Sequence, residues 1–177
     1  YVVLPGIVAG LAAGVVAVLF TTMQIEKTLS RGIERMWEPA VRLALTDILQ
    51  ALADEHHSDF SRGLIIARSV PRPRAKPENL ELFEELGYVR KSVLKSQTSL
   101  TAAMSRWVQL LASHRTYEPI LDQITSVSTR LDSIRDLTLE REISPESIEF
   151  SQALKTEIIA CNESFMVLID DIKIALR

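Results

Sequence analysis

The pattern of hydrophobic and charged residues changes sharply at Glu26, the first charged residue of the chain. The 21 residues from Pro5 to Ile25 would extend about 31 Å as an α-helix. The hydrocarbon core of a bilayer is about 30 Å thick. The pattern therefore predicts a transmembrane helix over residues 1–25. A cleaved signal peptide and a buried helix of a dissolved domain are the alternatives, and the apolar run is longer than the usual signal-peptide core of about 7–15 residues.

Within this apolar run, a glycine stands at every fourth position: Gly6, Gly10 and Gly14. Residues four apart lie on one face of a helix, and small residues on such a face let two membrane helices approach closely. Glycine inside a helix costs about 1 kcal/mol relative to alanine, which favours a packing role. We expect this face to contact copies of the chain or another membrane subunit.

Residues 26–60 predict juxtamembrane amphipathic helices, with a bend or break at Pro39. A helix over residues 40–54 would place five apolar residues on one side: Val41, Leu45, Ile48, Leu49 and Leu52. Its polar face is poor in lysine and arginine, whereas helices that lie on a lipid surface are usually rich in both. We therefore expect this helix to pack on protein rather than on lipid.

Residues 61–77 are basic and rich in proline, and the pattern predicts an extended linker. The segment contains no acidic residue. Anionic lipid head groups attract such cations, so we interpret four of its basic residues as candidate lipid contacts: Arg68, Arg72, Arg74 and Lys76. Docking of the prolines on an aromatic groove and a solvated linker without a specific role are the alternatives.

From residue 78 to 177 the apolar residues recur every three or four positions, which predicts three long helices. The first covers about residues 78–113, and Ser144, Pro145 and Glu146 resemble the capped start of the third. Short connections favour an antiparallel arrangement. The sequence thus predicts an all-α protein: a single N-terminal transmembrane helix followed by a cytoplasmic antiparallel bundle of about three long helices.

Composition and motifs restrict the chemistry. The net charge of −3 argues against a nucleic-acid partner. The single cysteine, Cys161, falls on an apolar seam and is interpreted as structural. Asp54 and His57 have a spacing seen in metal sites, but no second copy of that motif accompanies them. Without a recognisable phosphate-binding loop or nucleophile motif, we predict no enzyme activity, no cofactor and no small-molecule substrate.

Lys27, Arg31, Arg35 and Arg42 follow the apolar run, and an excess of such cations marks the cytoplasmic side of a membrane. We therefore place the protein in the cell membrane as a single-pass subunit with a cytoplasmic bundle. Its expected partners are membrane lipid and either copies of itself or other membrane subunits. The predicted function is that of a scaffold or assembly subunit. A component of a pore or transport complex and a transmembrane signal transducer are the alternatives.

Overall fold

Long α-helices form nearly all of the regular structure in a computed structural model of the chain, which describes residues 37–74 and 81–177. Helix α1 occupies residues 37–52. It is followed by α2 (Glu81–Ala112), α3 (Glu118–Ile143) and α4 (Ile148–Ala175). Two isolated bridges are the only β pairing among these described residues. The all-α prediction is therefore confirmed for this part of the chain.

The apolar seams predicted from the sequence form the core of the bundle. Their burial explains why three long amphipathic helices fold together, because each removes one apolar stripe from water. The most deeply buried members include Leu86, Leu131, Ile134, Leu154, Ile158 and Phe165. Ser96 interrupts the α2 seam, and its buried hydroxyl donates a hydrogen bond to the backbone oxygen of Ser92 at 2.9 Å.

Helix α3 packs against both α2 and α4, and the connections between the helices are short. Ion pairs show that neighbouring helices are antiparallel. Arg90, near the start of α2, pairs with Glu142, near the end of α3, through two hydrogen bonds of 2.6 and 2.7 Å. Residues 113–117 therefore mark one end of the bundle, which we call the α2–α3 end. Residues 144–147 mark the opposite end, the α3–α4 end.

Residues 42–52 of α1, which the sequence assigned to a juxtamembrane segment, belong to the same compact unit as the bundle. Residues Arg42–Arg177 form one compact unit, and residues 37–41 belong to the preceding unit. Asp47 of α1 accepts hydrogen bonds from Arg106 at 2.7 Å and from the Trp107 indole at 2.6 Å. Leu45, Ile48 and Leu52 are fully buried. The prediction that this amphipathic helix packs on protein is thus confirmed for residues 42–52.

The start of α4 differs from the predicted one. Ser144 does not cap this helix: its N–H donates to the backbone oxygen of Glu140 and closes α3. Ser144 to Ser147 form a turn, with a hydrogen bond of 3.1 Å from the Ser147 N–H to the Ser144 oxygen. Pro145 occupies the turn position that proline favours. Ser147 is the cap instead, because its side chain accepts from the N–H of Phe150.

The predicted membrane helix, residues 1–25, lies outside the described residues, as do Gly6, Gly10 and Gly14. The predicted lipid contact Lys76 also lies outside them. No helix within residues 37–74 and 81–177 is both long enough and apolar enough to cross a bilayer.

Candidate anion-binding groove

The chain leaves α1 through a turn that is held by Asp54. The Asp54 carboxylate accepts a hydrogen bond of 2.9 Å from the His56 N–H and lies 2.9 Å from Nδ1 of His57. The hydrogen bond with His57, followed by the one from His56, lowers the pKa of Asp54. Among the described residues no group of acidic, histidine or cysteine side chains is arranged to hold a metal ion. Asp54 and His57 therefore form a helix-end turn here.

A second turn reverses the chain at residues 59–64. Asp59 accepts from the Ser61 N–H and hydroxyl, and the Ser61 hydroxyl is the main reason that the pKa of Asp59 is lowered. Gly63 has a φ of 68°, a left-handed conformation that favours glycine. Leu64 then pairs with Asp59 through two backbone hydrogen bonds. This reversal returns the chain along α1 toward α2 and α4.

Arg68 is held inside the protein, unlike the other described cations of the predicted linker. It is 8% exposed. Its guanidinium donates to the backbone oxygens of Ala53 and Lys95, each at 3.4 Å, and to the Ser99 hydroxyl at 3.2 Å. It also forms an ion pair with Glu55 at 3.3 Å. These contacts join the turn after α1 to α2, and they leave little of the Arg68 side chain accessible to a lipid head group.

The next residues are fixed at two points. Asn162 of α4 accepts a hydrogen bond of 2.8 Å from the Val70 N–H and donates one of 3.1 Å to the Val70 oxygen. Further along, the Arg74 N–H donates to the Glu85 carboxylate of α2 at 2.6 Å. Pro71 and Pro73 stand between these points, and proline both lacks an N–H and favours an extended backbone. Residues 70–74 therefore run from α4 to α2 with an extended backbone.

A groove of about 630 Å³ lies between this segment and α4. Its walls include three cationic side chains, all exposed: Arg72, Arg74 and Lys155. Val70, Pro73 and Ile159 provide apolar surface, and Ser69 adds a hydroxyl group. None of the lining residues is acidic. Chemically, this combination suits an anion that is attached to a partly apolar group.

The structure thus brings together two of the predicted lipid contacts, Arg72 and Arg74, and adds residues that the sequence analysis missed. Lys155 and Asn162 belong to α4, and Asn162 is 92 positions from Val70 in sequence. No local spacing links residues so far apart. A motif search could not have found them, because the groove exists only once α4 packs beside the segment.

Cys161 directly precedes Asn162 in α4 and is fully buried. Burial, with a smaller contribution from Glu157, raises the pKa of its thiol to about 12. The reactive thiolate is therefore strongly disfavoured at neutral pH. This environment agrees with a structural role for Cys161.

Comparison of the chain with protein-family models, curated proteins and solved structures finds no match.

Proposed function

We propose that this protein is a membrane-anchored helical scaffold. In this proposal residues 1–25 cross the bilayer once, and the bundle lies on the cytoplasmic side. Gly6, Gly10 and Gly14 pack against a copy of the chain or against another membrane subunit. The bundle formed by residues 42–177 then presents a binding surface to the same assembly.

This proposal is supported by a separation within the bundle. The chain enters the bundle at residue 42, and the most exposed large apolar residues among those that the structure describes lie at the other end. Asp47 contacts Arg106, whereas Arg68, which also binds the Ala53 oxygen, contacts Ser99. Helix α1 therefore runs antiparallel to α2, and residue 42 lies toward the α2–α3 end.

At the opposite end of the bundle, the α3–α4 end, large apolar side chains are exposed to solvent. Ile143, the last residue of α3, is 82% exposed, and Ile148, the first residue of α4, is 73% exposed. Phe83, in the first turn of α2, is 43% exposed. Large exposed apolar side chains that share one end of a bundle can form a protein contact. Their position supports a partner bound at the end of the bundle remote from residue 42.

The proposal is tested by the mass and composition of the complex that mild detergent extracts from native membranes. We expect Ile143→Ser combined with Ile148→Ser to remove a bundle contact, because about 1.5–3 kcal/mol of transfer free energy accompanies complete burial of one such side chain. Gly10→Ile combined with Gly14→Ile should break the contact in the bilayer. Both pairs should release subunits from the complex.

A matched control is Leu94→Ser combined with Ile174→Ser, since both residues are 64% exposed and lie away from the α3–α4 end. The control complex should keep its mass. If the two test pairs also leave mass and composition unchanged, the scaffold proposal is refuted.

A further inference from the structure

We propose that the groove between residues 69–74 and α4 binds a phosphate monoester through Arg72, Arg74 and Lys155. This inference concerns a different surface from the apolar end described above, and it does not depend on the protein being a scaffold.

None of these three cationic side chains has an acidic partner among the described residues, although the Glu85 carboxylate binds the backbone N–H of Arg74. Several other arginines of the bundle are paired with carboxylates, for example Arg90 with Glu142 and Arg130 with Glu157. In the part of the chain that the structure describes, no side-chain ion pair is formed by Arg72, Arg74 or Lys155. The groove thus concentrates positive charge in a protein whose net charge is −3.

The groove is built on a backbone that is held at two points. Asn162 holds Val70 with two hydrogen bonds, and Glu85 holds the N–H of Arg74. Arg72 lies between these points, and the prolines on either side of it restrict its backbone. A binding segment that is already ordered loses less conformational entropy when its ligand arrives.

The hydrogen-bond donors of the groove suit a phosphate monoester. A guanidinium donates two parallel hydrogen bonds to phosphate oxygens, and an ammonium adds a compact positive charge. A phosphate monoester carries a charge of about −1.5 to −2 at neutral pH. Two arginines and one lysine therefore match its charge better than that of a singly charged carboxylate or phosphate diester. The apolar wall of Val70, Pro73 and Ile159 would contact the organic group beyond the ester.

The ligand has two chemically equivalent sources, a dissolved metabolite or a lipid with a terminal phosphate. The two sources place different demands on where the groove lies in the bundle. Arg74 binds α2 at Glu85, which is 21 positions from the Arg106 contact of α1. That separation is about 30 Å along a helix. The groove therefore lies far along the bundle from the end where α1 enters, and a lipid would reach it only if the bundle lay along the bilayer.

The test uses the full chain mixed with phosphatidylcholine nanodiscs, and it applies whether or not the chain inserts into them. Glycerol 3-phosphate is titrated as the dissolved probe, and phosphatidic acid is built into the disc as the lipid probe. Phosphatidylserine discs control for surface charge. Binding is followed by the amide resonances of Val70, Arg72 and Arg74. We expect at least one phosphate monoester to shift these resonances saturably, and phosphatidylserine not to do so.

The combined variant Arg72→Gln, Arg74→Gln and Lys155→Gln should weaken this binding at least about tenfold, because charge-assisted hydrogen bonds are lost. The matched control replaces three other exposed cations with glutamine: Lys91, Arg115 and Arg177. It should bind within about twofold of the original chain on the same affinity scale.

Saturation with glycerol 3-phosphate assigns the dissolved source, and saturation only with phosphatidic acid assigns the lipid source. Either result supports the site if the groove variant loses binding and the control keeps it. The inference is overturned if neither probe saturates, if phosphatidylserine gives the same response, or if both variants lose binding equally.

Discussion

Arg68 and Arg72 are four positions apart in one basic segment, but their environments differ completely. Residues 53–70 fold back on the bundle, and Arg68 is buried there among backbone oxygens, a hydroxyl and a carboxylate. Residues 72–74 form one wall of an open groove, and Arg72 is exposed there. This difference shows that two arginines close together in sequence can have separate roles. One holds the fold together, and the other remains available to a ligand.

We expect the largest change in stability when the buried guanidinium of Arg68 is removed. Arg68→Ala should lower the free energy of unfolding by about 2–4 kcal/mol, because a buried carbonyl loses a charged donor and the packed side-chain stem is removed. Urea unfolding of the full chain in detergent, followed by circular dichroism, measures this change. Arg72→Ala is the matched control and should change stability by less than about 0.5 kcal/mol. Equal losses in the two variants would contradict the division between the two regions.

A smaller effect is expected where the two regions meet. Asn162→Ala should cost about 1–2 kcal/mol, because both hydrogen bonds to Val70 are lost. Hydrogen exchange of the Val70 amide should become faster, while the Arg68 amide, which is bonded to the Leu52 oxygen, keeps its protection. Glu163→Ala provides a neighbouring exposed control. Unchanged exchange at Val70 would show that Asn162 does not hold the segment.

The smallest expected effect is a loss of local stability at low pH in the turns that precede Arg68. The pKa of Asp54 is lowered mainly by His57, and that of Asp59 mainly by Ser61, so both folded-state values lie below the unfolded ones. Their stabilising contribution is present above the unfolded value and is lost as pH falls through the folded value. Amide exchange at Ser61 and Arg62 should therefore accelerate below about pH 4 relative to Val70. Equal acceleration at all three amides would argue against local control by these carboxylates.

The helical periodicity predicted much of the fold, because burial of an amphipathic face depends on local spacing. Ile124, Val127 and Leu131 lie in the core as that spacing indicated. Trp107 lies on α2 but is only half-buried, because its indole N–H donates to the carboxylate of Asp47. The start of α4 was misplaced because Ser144 and Ser147 both suit a helix cap, and only the preceding helix determines which one is free to do so.

The groove was predictable only in part. The basic segment indicated anion binding at Arg72 and Arg74, but the same reasoning included Arg68, because a sequence does not reveal which cation meets distant backbone oxygens. Lys155 and Asn162 carried no local signal. Their contribution depends on the packing of α4 against a segment more than eighty positions away in the chain.

The most direct test of the proposed membrane-anchored scaffold is alkaline carbonate extraction of native membranes that contain the full chain. Carbonate removes proteins held only by surface charge, whereas a helix that spans the bilayer stays with the lipid. We predict that the protein remains in the membrane pellet and is released only by detergent. Its appearance in the carbonate supernatant would contradict a membrane anchor within residues 1–25 and with it the proposed function.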